Sequence, residues 1–372
     1  MNIECRTKEL IGVVDKASRA TSKNLSLPVL ACIYLNADKT TNVLNIKATN
    51  LDIGADFKVK LKCLESGIAA VPANTFLNFL SSLNPDSDLK IILEKSNLKI
   101  SSKNNSSVIK CHPIEDFPTI PLVIGGKEAT IKSKEFLSGI KSVWYSASNS
   151  TIKPELASVY ITPGEQELVF VSTDSFRLAE KKIHYKNPIE FQPILLPHKN
   201  IADILKILDG VDSDIKLIFD KNQISFSFMS GNNTNFLVSR IIDGSFPDYK
   251  QIIPKSPLTE VAILKNDLIS TIRRAQVFSD AFNQVKFKID PNNKKFSITT
   301  KNNDVGEFAE EIAGKFSGEP IEISFNHKYI LDAMQAIDSD SLLLSLSGAG
   351  KPMIMKGASD KSFTYVVMPM NR

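Results

Sequence analysis

The residues able to do chemistry are few, and their spacing argues against catalysis. Cys111 and His112 stand side by side, a pairing that could supply a thiol nucleophile and its base. On a strand, however, adjacent side chains point to opposite faces, and the two groups cannot meet. Thr173-Asp174-Ser175 sets two hydroxyls beside a carboxylate, with no histidine at hand to activate either. The four histidines, His112, His184, His198 and His327, show no metal-ligand spacing, and the acidic residues do not cluster as a two-metal site requires. No Gly-x-x-x-x-Gly-Lys-Ser/Thr loop, dinucleotide glycine fingerprint or His-Glu-x-x-His is present. The expectation is a non-enzymatic protein without cofactor or metal. A hydrolase working through Cys111 or Ser175 is the competing class, and alanine at either position tests it.

What recurs at regular spacing is positive charge on short helices. Thr7-Lys8-Glu9-Leu10-Ile11, Ser133-Lys134-Glu135-Phe136-Leu137 and Lys265-Asn266-Asp267-Leu268-Ile269 each follow a strand-like run (Asn2 to Arg6, Ala129 to Lys132, Glu260 to Leu264). Their starts lie 126 and 132 residues apart (7 to 133, 133 to 265), the size of a domain, so three similar units are expected. At about 100° per residue, Leu10, Val13, Val14 and Ala17 share one face of the first helix, and Lys8, Lys16 and Arg19 oppose it. Phe136, Ile140, Val143 and Ala147 oppose Lys134 and Lys141 in the second; in the third, Arg273 and Arg274 lie outside the face of Leu268, Ile269, Ile272 and Ala275. A solvated outer face explains one such helix; three basic copies point to an electrostatic role.

A second helix recurs at Val71 to Leu77, Leu196 to Ile201 and Phe325 to Ile330, introduced by Pro72 and Pro197 in the first two copies. In the middle copy Lys199 and Lys206 oppose Ile201, Ile204 and Leu208. Hairpins follow: Leu89 to Leu93 with Asn97 to Ile100, Ile215 to Phe219 with Gln223 to Phe228, and Leu342 to Leu346 with Met353 to Met355. Each unit then holds two helices and about eight strands, with linkers near Pro118 to Gly126 and Pro254 to Pro257. At 372 residues, 42% hydrophobic and 23% charged, the chain has ordinary globular composition. Its net charge of +4 from 45 basic and 41 acidic residues permits a phosphate partner only if the charge is gathered on one surface. Four scattered cysteines (Cys5, Cys32, Cys63, Cys111), a start without a signal region and no membrane-length apolar run lead to the expectation of reduced thiols in a cytoplasmic protein.

The sequence resembles the bacterial DNA polymerase III β subunit family, the DNA sliding clamps, over its whole length. The residues that carry this are Leu27-Pro28-Val29-Leu30, Asp116-Phe117-Pro118, Thr173-Asp174-Ser175-Phe176-Arg177-Leu178-Ala179, Phe246-Pro247-Asp248-Tyr249 and, above all, Tyr365-Val366-Val367-Met368-Pro369-Met370. The resemblance implies an α+β fold of three repeated clamp domains (1–124, 125–254, 255–372), each with two helices on antiparallel sheets. It implies a head-to-tail homodimeric ring around duplex DNA that tethers polymerase without catalysing anything. Inward basic faces would then attract phosphates without reading sequence. The alternative is a monomeric β-rich peptide-binding scaffold without ring closure.

By resemblance, a pocket between the second and third domains takes short linear peptides. These come from the replicative polymerase α subunit, the clamp loader, and other polymerases and repair proteins. Its residues are Leu156, Thr173, Arg177, Leu178, Pro247, Ile252, Asn326, Tyr329, Val366, Val367, Met368, Pro369 and Met370. The DNA-facing set is Lys8, Lys16, Arg19, Lys134, Lys141, Lys199, Lys206, Arg273 and Arg274. Val277, about 140° from the apolar face of the third helix, is expected to meet the partner subunit together with Phe278 and Ile109. The family pattern is broken at Ser175-Phe176 (commonly Gly-His), at Lys153 and Gln251 (frequently Arg), and after Met370, where Asn371 precedes Arg372. The preferred peptide is therefore left open, while nucleoid-associated cytoplasm is the implied location.

Overall fold

A computed structural model of the chain describes residues 1–22, 27–103, 105–121, 123, 125–185 and 191–370. Six α-helices appear where the repeats place them: α1 (Thr7–Ser18), α2 (Ala73–Ser81), α3 (Ser133–Val143), α4 (His198–Leu208), α5 (Lys265–Ala275) and α6 (His327–Ala333). Around them each repeat runs strand, helix, strands, helix, three strands, with nine, eight and nine strands among the described residues. Each helix forms because its apolar residues fall on one side. Leu10, Val14 and Ala17 of α1 are fully buried, as are Phe136, Ile140 and Val143 of α3 and Leu268, Ile272 and Ala275 of α5. Local chemistry fixes some of the starts. The backbone N–H of Arg6 donates to Glu9 at 2.8 Å ahead of α1. The Asn326 side chain accepts from the N–H of Lys328 at 2.9 Å and caps α6.

The described residues divide into two compact units. One comprises Met1–Leu137 with Lys199–Ile241; the other comprises Ser138–His198 with the chain from Ile242 onward. This division cuts across the sequence repeats because sheets do. In the first unit an eight-stranded antiparallel sheet runs Lys127–Lys132, Asp214–Phe219, Gln223–Ser230, Asn233–Arg240, Ile53–Lys60, Val43–Thr49, Cys32–Asp38, Gly67–Pro72. Its middle seam joins repeats: Asn233–Arg240 of the second pairs with Ile53–Lys60 of the first, in the register Phe236↔Asp56 to Ser239↔Ile53. In the second unit a nine-stranded sheet is joined the same way. There Arg177–His184 of the second repeat pairs with Phe363–Val367 of the third, Arg177↔Val367 to Lys181↔Phe363.

Each unit also holds a sheet with an open edge. The five-stranded sheet of the first ends at Asn105–Lys110, and the four-stranded sheet of the second ends at Gly306–Glu311. Cores lie between sheets and helices. Phe226 meets Phe136 of α3 edge-to-face at 5.5 Å, and Phe287, Phe296 and Phe325 form a similar aromatic group in the third repeat.

Candidate functional site

The second seam builds its site from one turn. After the strand Glu167–Thr173, the Thr173 hydroxyl donates to the Arg177 carbonyl at 2.7 Å and accepts the Ser175 N–H at 3.1 Å. The Asp174 carboxylate accepts the N–H groups of Phe176 and Arg177, each at 3.0 Å. Ser175 takes φ +78°, a left-handed conformation that favours glycine and that these hydrogen bonds hold in place.

This turn delivers Arg177 into a cage. Its Nε donates to Asp174 at 3.0 Å, one terminal nitrogen bonds Asp332 of α6, and the other donates to the Tyr145 carbonyl at 2.7 Å. The guanidinium lies 4.5 Å over the Tyr329 ring and 5.9 Å from that of Tyr145. Burial works against the charge, but Tyr365, Asp332 and Asp174 more than offset it, so the arginine's pKa is raised. Beneath, Leu178 and Val366 join Val169, Val171, Tyr249 and Ile354 in an apolar cluster, and the Tyr249 hydroxyl donates to the buried Glu180 at 2.6 Å.

The tail completes the wall. The Met368 N–H donates to the Phe176 carbonyl and the Met370 N–H to that of Ser324, both at 2.8 Å, while the Tyr365 hydroxyl donates to the Tyr329 carbonyl at 2.8 Å. The thirteen residues expected at the pocket thus fall within one unit and separate by exposure. Leu156, Thr173, Leu178, Val366 and Val367 are buried; Arg177, Asn326, Tyr329 and Met368 to Met370 are half-buried; Pro247 and Ile252 are exposed. The side-chain oxygen of Asn326 also serves as the α6 cap. Lys153 and Gln251 are exposed, and Gln251 bonds Asp248 at 2.7 Å. Asn371 and Arg372 lie outside the described residues.

The nine basic residues are at or near the surface, yet most face an acidic partner. Lys8 bonds Asp86 at 2.7 Å, Arg19 bonds Asp15 at 3.2 Å, Lys134 bonds Asp212 at 3.0 Å and Lys199 bonds Asp52 at 2.6 Å. Arg274 pairs with Glu310 of the open edge strand. Lys16 donates to the Asp209 carbonyl at 2.6 Å, and burial lowers its pKa. Among the described residues, Lys141, Lys206 and Arg273 are exposed without an ion pair.

At the edges the structure locates the three residues expected at a subunit contact. Ile109 is 7% exposed and packs into its own core; its neighbour Val108, at 62%, is what the edge strand presents, because alternate side chains point to opposite faces. Val277 is not on α5, which stops at Ala275, but in the 3-10 turn Gln276–Phe278, where it is 64% exposed. Phe278 in that turn stacks on Phe308 of its own sheet at 6.0 Å. Of the two nucleophile candidates, Cys111 is half-buried and Ser175 lies exposed in its turn. Burial pushes the Cys5 thiol up to about 12 and raises that of the half-buried Cys111, leaving no thiolate near neutrality.

Comparison with known proteins agrees along the entire chain. The family models for the N-terminal, central and C-terminal domains of the DNA polymerase III beta subunit match residues 1–121, 130–248 and 250–371. The chain belongs to this family, the beta sliding clamps. The beta sliding clamp of Synechococcus elongatus is 26% identical over 375 residues, covering 100% of this chain and 99% of the relative. That of Vibrio cholerae is 27% identical over 374 residues, with 100% of both covered. Among solved structures, the Thermotoga maritima beta subunit superposes with a TM-score of 0.92 at 25% identity, covering 100% and 99%. The Pseudomonas aeruginosa subunit does so with a TM-score of 0.92 at 22% identity, covering 100% of both.

Clamps of this family are processivity factors of DNA polymerase III and not enzymes. Sequence reasoning missed Tyr145, Asp174 and Asp332, which hold Arg177. Tyr145 and Asp332 carried no signal, since they stand 32 and 155 residues from the arginine; Asp174 was visible as a turn residue but not as an ion-pair partner. The acidic partners of the helix lysines were invisible for the same reason.

Proposed function

We propose that the chain acts as half of a ring-shaped homodimer that encircles duplex DNA and tethers polymerase and other DNA-processing proteins to it. One observation supports ring closure above others. At both internal seams, the last strand of a repeat's second hairpin (Asn233–Arg240, Phe363–Val367) pairs with the third strand of the preceding repeat's other sheet (Ile53–Lys60, Arg177–His184). The two strands left at open edges, Asn105–Lys110 and Gly306–Glu311, are the corresponding members of the same pairing. A second copy supplies each with its partner, head to tail, and the arrangement closes when the rotation allows. Lys110 on one edge and Glu307 on the other complement in charge.

Exposed Lys141, Lys206 and Arg273 supply weak, sequence-independent attraction to phosphates, suited to sliding. Retention is topological, so affinity need not be high. The Arg177 platform with Met368–Met370 takes short peptides of the polymerase α subunit, the clamp loader and repair proteins, its methionines adapting to different ligands. No helix among the described residues is long and apolar enough to cross a membrane; a cytoplasmic, nucleoid-associated place follows from the DNA partner.

The test is retention after loading on nicked circular DNA. The protein is expected to stay on the circle and to leave once a restriction enzyme linearises it. Equal residence on both forms would sink the ring.

A further inference from the structure

The turn that positions the second seam's site is written a second time, at the first seam, where nothing above assigns a role. The Thr49 hydroxyl donates to the Ile53 carbonyl at 2.8 Å and accepts the Leu51 N–H at 3.0 Å. The Asn50 side-chain oxygen accepts the N–H groups of Asp52 and Ile53 at 3.0 and 2.7 Å. Leu51 takes φ +74°, as Ser175 takes +78°. The Arg240 N–H donates to the Asp52 carbonyl at 2.8 Å, as the Met368 N–H does to Phe176. Tyr34 and Phe117 pack at 5.0 Å, as Tyr160 and Phe246 do at 4.8 Å.

The contents differ. Ile53 stands in the place of Arg177, so there is no caged guanidinium, and Gly54 stands in the place of Leu178. A Cβ on Gly54 would meet Ile120 at 2.6 Å, so the glycine is what admits that side chain. What remains open is a cavity of about 320 Å³ whose lining includes Leu51, Pro118, Val238 and Arg240, large enough for one or two side chains. Leu51 is 45% exposed despite its strained backbone. Asp52 is already neutralised by Lys199 at 2.6 Å, whereas Arg240 is exposed and has no ion pair among the described residues. The local charge is therefore positive beside an apolar wall.

We propose that this first seam is a second docking site, for an extended peptide segment of another protein that sets an acidic side chain beside a branched or aromatic apolar one. The carboxylate meets Arg240 and the apolar group enters between Leu51, Pro118 and Val238. A phosphate backbone would satisfy Arg240 but leave that wall uncovered. The site does not depend on the Arg177 platform.

The experiment uses the full-length protein with labelled methyl groups, followed by NMR during titration with the peptide Ac-Gly-Asp-Leu-Phe-Gly-NH2 and with its Asp-to-Lys counterpart. Methyl signals of Leu51 and Val238 are expected to move with the acidic peptide, and the Lys counterpart is expected to bind at least about threefold more weakly. Arg240→Glu should abolish those shifts while leaving any at Val366 and Val367. Deleting Met368 to Arg372 should do the reverse. Arg240 is exposed, and an unchanged methyl spectrum elsewhere confirms that its variant folds. The proposal is overturned if Leu51 and Val238 stay still, if both peptides bind equally, if Arg240→Glu changes nothing, or if duplex DNA displaces the peptide from these methyls.

Discussion

Arg177 is a cation with little charge left to offer. Two carboxylates, a carbonyl and the face of Tyr329 take up its donors, and its side chain is only 11% exposed. In the proposed peptide site, Arg177 is therefore a flat, neutralised platform and not a free positive hook. Lysine cannot reproduce that geometry, since it lacks both the fork and the plane. Arg177→Lys should lower unfolding free energy by about 1–3 kcal/mol, because its partly buried partners lose charge-assisted hydrogen bonds, and should weaken capture of a polymerase tail peptide. Denaturant melts and fluorescence anisotropy check this; unchanged values in both would mean that the cage is incidental. The arginine itself was legible in Thr173 to Ala179. The cage around it was not, because Asp332 and Tyr145 reach it from distant parts of the chain.

At the scale of elements, helices and hairpins were the most legible part. Periodicity at 3.6 and 2 residues is local, so α1, α3 and α5 and the hairpin at Asp214–Phe219 and Gln223–Ser230 could be placed from sequence alone. Orientation at edges was harder. Ile109 and Val108 are equally apolar, and only the register with Leu98 and Lys99 shows which one turns inward. The end of α5 was likewise hidden: Gln276–Phe278 continues the helical pattern but tightens to a 3-10 turn, which brings Phe278 onto Phe308 and leaves Val277 outside. If that turn meets the edge strand of a second copy, Val277 contributes about 1.5–2 kcal/mol per interface by burial. Val277→Glu combined with Val108→Glu should then shift the protein, at micromolar concentration, from twice its 41.1 kDa mass to a single protomer in analytical ultracentrifugation. A dimer that survives both changes would place the interface elsewhere.

For the molecule as a whole, the small net charge of +4 conceals a division of labour. Lys8, Lys134 and Lys199 each share their charge with an aspartate in an ion pair, whereas Lys141, Lys206 and Arg273 make no ion pair among the described residues. Replacing the latter three with glutamate should reduce DNA binding more than replacing the former three, and should lower the slope of log affinity against log salt by up to about 3. Equal effects from both triple variants would show that the ion pairs open freely on DNA. The shared sheets also bear on how the protein is made. Ile53–Lys60 leaves the ribosome about 180 residues before its neighbour Asn233–Arg240. At ordinary translation speed the nascent first repeat waits on the order of ten seconds with one edge of that strand unpaired. Exposed Lys58 and Lys60 on it discourage pairing with another nascent chain during the interval. Synthesis of the first repeat is thus finished well before its seam with the second can close.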